Sequence, residues 1–238
     1  MLELGYLLIH SNLFFFHLAH HYYFNPLPLQ QFQMAAITAA SFAKFMLSRS
    51  SVPEEKLLNI LEIPVEDLHQ LLIESNAILN KFKGKIYKAK SELSNEVIYS
   101  MVYHGKYMHV DQSKSASNFF KSLINRLIQK VKYFHEARTE DTVDCNNLDC
   151  YISEHDALRD YKGSVSQAEE LLGKFITTGY LEIHQGQLYL GITSKYGLAN
   201  LLQPYMKTCT NTAEMLIYYK YCCGHYYHPF QICQTCKR

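Results

Sequence analysis

Leu68, Leu71, Leu72, Leu79 and Phe82 recur at steps of three and four residues among polar neighbours, a period that gathers them on one buried helix face. Val65-Glu66-Asp67 puts carboxylates at the start of that helix, where the first amides lack partners. Upstream, Ala39 to Leu47 reads as helix, and Pro53-Glu54-Glu55 opens a second short one with residues its first turn accepts. Downstream the composition turns β-branched and aromatic. Lys85-Ile86-Tyr87 and Val97 to Tyr103 predict two strands joined by a polar turn, Ser91-Glu92-Leu93-Ser94-Asn95. Helices closed by a hairpin form a winged-helix pattern.

Between Lys114 and Arg138 a longer amphipathic helix is expected, joining two units. Phe120, Leu123, Ile124, Leu127, Val131 and Phe134 share its apolar face, with Lys121, Arg126, Lys130 and Lys132 elsewhere. The acidic stretch from Glu140 to Cys150 reads as a surface loop, and that reading is preferred over a metal half-site made by Cys145, Cys150 and His155. At Ser166-Gln167-Ala168-Glu169 the spacing predicts a capping box, followed by Leu171, Leu172, Phe175 and Ile176 on one helix face. Gly179 supplies the left-handed residue at that helix's end. A second hairpin follows, Tyr180–Ile183 and Gln187–Leu190 about His184-Gln185-Gly186, and Thr193-Ser194 is expected to cap a last helix reaching toward Pro204. Helix followed by hairpin occurs twice, so the expected fold is mainly α with small β-hairpins, two winged-helix domains in tandem.

The 238 residues, 48% hydrophobic, suffice for a core shared among small domains. Net charge is +1, so no global basic field advertises nucleic acid. One local run, Lys81, Lys83, Lys85, Lys88 and Lys90 entering the first hairpin, offers a weak, non-specific contact to DNA backbone phosphates. No Gly-rich phosphate loop, nucleophile elbow or His-Glu-x-x-His is present. The acidic pairs Glu54-Glu55 and Glu169-Glu170 belong to helix N-termini, so a self-contained hydrolytic or redox enzyme is disfavoured and no catalytic residue is assigned.

Residues 1–33 are apolar in Leu7-Leu8-Ile9 and Leu13-Phe14-Phe15-Phe16, but His10, Asn12, His17, His20 and His21 interrupt the run and Glu3 stands where a basic region would precede a signal peptide. They are read as an extension outside the fold, with no membrane anchor. Met34 is then the effective start. Boundaries are expected at 34–112 for the first winged-helix domain, 113–207 for the linking helix and second domain, and 208–238 for a metal-binding segment.

Five of seven cysteines fall after residue 208, unlike a secreted disulfide framework and in keeping with a reducing compartment. Cys222, Cys223, His225, His228, Cys233 and Cys236 offer thiolate and imidazole donors, which suit tetrahedral zinc, and Cys233-x-x-Cys236 lets one turn aim two sulfurs at one ion. Cys223, Cys233 and Cys236 with one of Cys222, His225 or His228 would complete a site.

Ile78-Leu79 before the lysine-rich hairpin, Ile98-Tyr99-Ser100-Met101-Val102 as its return strand, and Ala168 to Phe175 running into Gly179-Tyr180-Leu181-Glu182-Ile183 resemble segments of the non-SMC element one family over residues 34–236. Members of that family are the winged-helix and RING subunits of the structural-maintenance-of-chromosomes five/six complex. The resemblance implies a RING-like tail in which Cys223, Cys233 and Cys236 match the second, third and fourth zinc ligands. The family's first ligand would fall at Lys220, so Cys222 must substitute or the site is incomplete. The family's last four ligands would lie past Arg238, so the expected RING is partial and a cross-braced pair of zinc sites does not close. The resemblance further implies a nuclear, chromatin-associated subunit acting in DNA repair and recombination. Its expected partners are the MAGE-domain subunit (non-SMC element three), the kleisin subunit (non-SMC element four) and, with a complete RING, a ubiquitin-conjugating enzyme. RING-type ubiquitin transfer uses no covalent intermediate on the ligase, in keeping with the missing nucleophile. The alternative readings are a winged-helix DNA-binding regulator with a zinc ribbon and, second, a secreted or membrane-anchored protein that uses residues 1–33.

Overall fold

The computed structural model describes residues 37–104, 113–136, 150–227 and 229. The readings made of residues 1–33, of Glu140 to Asp149, and of His228, Cys233 and Cys236 lie outside them.

The first unit runs α1 (Ala39–Arg49), β1 (Ser51–Pro53), α2 (Glu54–Leu61), α3 (Val65–Leu79), β2 (Gly84–Lys90) and β3 (Val97–Tyr103). Thr38 and Ser41 cap α1 reciprocally, and Glu54 and Glu55 occupy the first turn of α2. Leu68, Leu71, Leu72 and Leu79 of α3 bury against Phe42 and Met46 of α1 and against Ile86, Tyr99 and Met101 of the sheet. Each such side chain contributes on the order of 1.5–3 kcal/mol by leaving water. Phe82 departs from the expected stripe. The helix tightens into a 3-10 turn at Asn80–Phe82, which rotates the ring outward to 45% exposure. Asn76 fixes α3 to the hairpin, its side chain donating to the Ile86 carbonyl at 2.9 Å and accepting from the Ile86 amide at 2.7 Å.

The second unit repeats the order with α4 (Lys114–Glu136), β4 (Ile152–Ser153), α5 (Glu154–Arg159), α6 (Val165–Thr177), β5 (Leu181–His184) and β6 (Gln187–Leu190). The strand order is β1-β3-β2 in one sheet and β4-β6-β5 in the other, all antiparallel. Positions also correspond. Val52, Glu54, Val65, Leu71 and Leu72 stand one hundred places before Ile152, Glu154, Val165, Leu171 and Leu172, each pair at the same point of its unit. Helix α4 does more than join the units, because its whole apolar face packs with Phe175, Leu181 and Leu188 as the second core.

Three local expectations are corrected. The capping box of α6 is Ser164 with Gln167, because Ser164-Val-Ser-Gln167 fits the same motif two residues earlier and lengthens the helix without turning Leu171 or Leu172 outward. Gly179, at φ +73°, ends α6 as expected, with the Tyr180 amide reaching Phe175 O and the Gly179 amide reaching Ile176 O. Thr193 and Ser194 do not cap. Helix α7 (Ile192–Gly197) starts from Gly191, and the two buried hydroxyls donate back to Thr178 O and Tyr180 O; α7 and α8 (Ala199–Leu202) replace the single expected helix. Cys150, read as surface, is fully buried in the second core, whereas His155 is exposed.

Tyr87 of β2 stacks on Tyr196 of α7, 4.1 Å between centroids, so the face of the first sheet opposite α3 lies against the second unit. Leu93 inserts into the second unit's core. Beyond α8 come two small hairpins, β7 (Lys207–Thr208) with β8 (Met215–Leu216), and β9 (Lys220–Cys222) with β10 (His225–Tyr227). The Thr210 amide donates to Tyr226 O and ties one hairpin to the other.

Candidate functional site

The run expected to be a polar turn becomes the centre of the molecule. Ser91, Glu92 and Leu93 are buried, because the β2–β3 loop folds over the second unit instead of projecting into water. Glu92 Oε1 receives the Lys195 ammonium at 2.5 Å, and Oε2 receives the amides of Ile217 at 3.0 Å and Tyr218 at 2.5 Å. The Ser91 hydroxyl donates to Glu182 Oε2 at 2.5 Å. One loop of the first unit thereby meets β5 and α7 of the second and the bend that leads to the cysteines.

Lys195 pairs with Glu92, and the charges of both act on the nearby Glu182. Burial pushes the Glu182 carboxyl up to about 7; the Ser91 hydroxyl opposes that shift, while the neighbouring charge of Glu92 adds to it. Lys195 is raised above the ordinary lysine value, since Glu92 and Tyr196 outweigh the burial that would lower it. Burial likewise lifts Tyr218 well above the ordinary tyrosine value, and its hydroxyl accepts from the Leu190 amide at 2.9 Å. The partly open pocket here is about 10 Å³, room for roughly one water. It is a joint, with no space for a substrate.

The lysine run divides by position. Lys81, Lys83 and Lys85 are exposed, Lys83 in a left-handed conformation at φ +57° and Lys85 4.9 Å from the Tyr87 ring. Lys88 turns to the helix side and pairs with Glu54 at 2.5 Å, which also accepts from the Tyr99 hydroxyl. Lys90 is half-buried at the edge of the Glu92 joint. Four of the five are thus exposed, Lys88 among them despite its ion pair.

In the C-terminal segment Cys222 and His225 are cross-strand partners flanking the two-residue turn Cys223-Gly224, both of whose φ angles are positive. Cys223 and His225 are exposed on that turn. Cys222, Cys223 and His225 therefore share one hairpin, while among the described residues no three His, Cys, Asp or Glu side chains gather closely enough to hold a metal ion. Cys209, outside the expected ligand set, is buried between Leu216 and Tyr219, next to the bond that joins the two hairpins. Among the described residues no helix is long and apolar enough to cross a membrane.

Glu92 was the residue that sequence reasoning missed. Its only signal was an acidic residue beside a leucine in a loop between two apolar strands.

The class defined is a mixed fold of helices and small antiparallel sheets, two like units clasped through a loop, carrying a short cysteine- and histidine-bearing extension. Among solved structures, the chain matches one from a structure described as "Nse1-Nse3-Nse4 complex", with a TM-score of 0.55 and 15% identity, covering 86% of this chain and 97% of that one. That is a likeness of fold over nearly the whole of both chains. No family model matches the sequence, and no curated protein sequence does.

Proposed function

We propose that the chain is a scaffold subunit of the structural-maintenance-of-chromosomes five/six complex, acting in DNA repair and recombination on chromatin in the nucleus. The observation that carries this reading is the near full-length fold likeness to a chain of the Nse1-Nse3-Nse4 assembly. Its partners are then a MAGE-domain subunit and a kleisin subunit. Each unit's order of helix, strand, two helices and two strands is that of a winged helix, in support of the tandem architecture. Cys223, Cys233 and Cys236, with Cys222, His225 or His228, would hold zinc. Presenting a ubiquitin-charged conjugating enzyme would take a complete RING, of which these residues supply half of the ligand set, so the ligase role implied by the family is secondary to the scaffold role.

The competing reading, a DNA-binding regulator, gains less support. It sets α3 against phosphates, yet the exposed residues of α3 include Glu66, Asp67 and Glu74, and the helix has neither lysine nor arginine.

Co-expression of the full chain with the MAGE-domain and kleisin subunits tests the proposal. A stoichiometric complex that survives gel filtration is the expected result. Failure to co-purify with either, together with tight, steeply salt-dependent binding to duplex DNA alone, would overturn it in favour of the regulator.

A further inference from the structure

Three consecutive residues ahead of the cysteines are each held by a different part of the fold. The amides of Ile217 and Tyr218 both point at one oxygen of Glu92, a carboxylate that belongs to the first unit. The Ile217 carbonyl lies 3.1 Å from His135 Nε2 at the end of α4, and the Tyr219 hydroxyl lies 3.0 Å from His135 Nδ1. A carbonyl has no proton to give, so Nε2 carries the hydrogen and Nδ1 accepts from Tyr219. Between them the Tyr218 ring is sunk in the second core, edge-on to Tyr189.

Segment 217–219 runs directly into β9, and Cys222 is three residues past Tyr219. An extended chain advances roughly 3.3 Å per residue, so Cys222 stands about 10 Å from the pinned point. Over so short a reach, with both hairpins tied by Thr210 and Tyr226, the direction of the donors is set where the segment is held.

We infer that Glu92 is a positioning residue that locks the cysteine- and histidine-bearing segment onto the two clasped units, so that all three parts move as one body. The carboxylate joins the first unit's loop, Lys195 of the second unit and the segment at a single point. Ser91, its neighbour, binds Glu182 and keeps that loop seated. A partner that displaces the β2–β3 loop would release the segment at the same moment. The device does not depend on the proposed zinc or on the proposed complex.

Amide hydrogen exchange on the full chain, followed residue by residue, is the test. In the unaltered protein the Ile217 and Tyr218 amides exchange as slowly as those of Met101 and Gly191, which bond Ser50 O and Tyr180 O inside the two units. Glu92→Gln, which keeps shape and removes charge, speeds exchange at Ile217 and Tyr218 by about ten- to a hundredfold, the usual consequence of losing bonds to a charged acceptor. Leaving Lys195 unpaired lowers global stability and speeds Met101 and Gly191 alike; acceleration at Ile217 and Tyr218 beyond theirs separates positioning from a general loss of fold. If Glu92→Gln leaves Ile217 and Tyr218 unchanged, or speeds all four amides equally, the inference is wrong. Rapid exchange at Ile217 and Tyr218 in the unaltered chain also overturns it and needs no variant.

Discussion

The Lys195 ammonium sits 2.5 Å from Glu92 Oε1 across 103 positions of chain, and both side chains are almost wholly buried. Removing one member of such a pair strands the other in a medium that solvates it poorly. Lys195→Met is therefore expected to destabilise the fold by about 3–5 kcal/mol. Urea unfolding checks this directly. A loss no larger than that of an exposed pair such as Lys174–Glu170, roughly 0.3–0.5 kcal/mol, would contradict the burial argument.

Glu182 gives the same joint a dependence on pH. Its carboxyl holds a proton in the folded state up to about 7, above the ordinary value of 4.5. The stabilisation is thus complete below about 4.5 and is lost as pH rises through 7. The urea midpoint should fall over that window, and Glu182→Gln should flatten the fall. Parallel curves for the two proteins would remove Glu182 as its source.

Two glycines should respond in opposite directions to alanine. At Gly179 an added Cβ would meet Ser51 Cβ and Thr193 Oγ1 at 2.8 Å, and φ is +73°, so strain and collision act together. Gly179→Ala should cost more than about 1 kcal/mol. Gly173 sits within α6 with nothing inside 4 Å of the added carbon, and Gly173→Ala should stabilise by about 0.5–1 kcal/mol. Thermal melts of both variants read the contrast.

Cys223 stands on a turn of its own hairpin, away from both large cores. Cys223→Ser should lower the zinc content of the purified chain, measured by elemental analysis, while the main unfolding transition stays within a degree or two, on the order of a surface change. Equal zinc in both proteins would strike Cys223 from the ligand set.

Much of the fold was legible because its signals are short in range. The leucines of α3, the turn at Gln185-Gly186 and the glycine after α6 each declare themselves within a few residues. The register of α6 was not legible in the same way, since Ser164-Val-Ser-Gln167 and Ser166-Gln-Ala-Glu169 both satisfy a capping box and only packing chooses. Phe82 was misplaced because a helical period cannot announce where a helix tightens. The Glu92 joint was hidden for a deeper reason. Its partners lie more than one hundred residues away, and a buried acid looks like any other loop acid until the ammonium and amides that compensate it are brought together in space.

The bond pair between Asn76 and Ile86 bears on how the lysine-bearing hairpin can be approached. Strand β2 is an edge, and an edge ordinarily offers its backbone to any strand that comes alongside. Here the side chain of Asn76 has already taken both the amide and the carbonyl of Ile86, midway along β2. A second chain cannot extend the sheet through that point. The edge is thus guarded against chain-to-chain polymerisation, and whatever recognises Lys81, Lys83 and Lys85 must do so by charge and shape, without adding a strand.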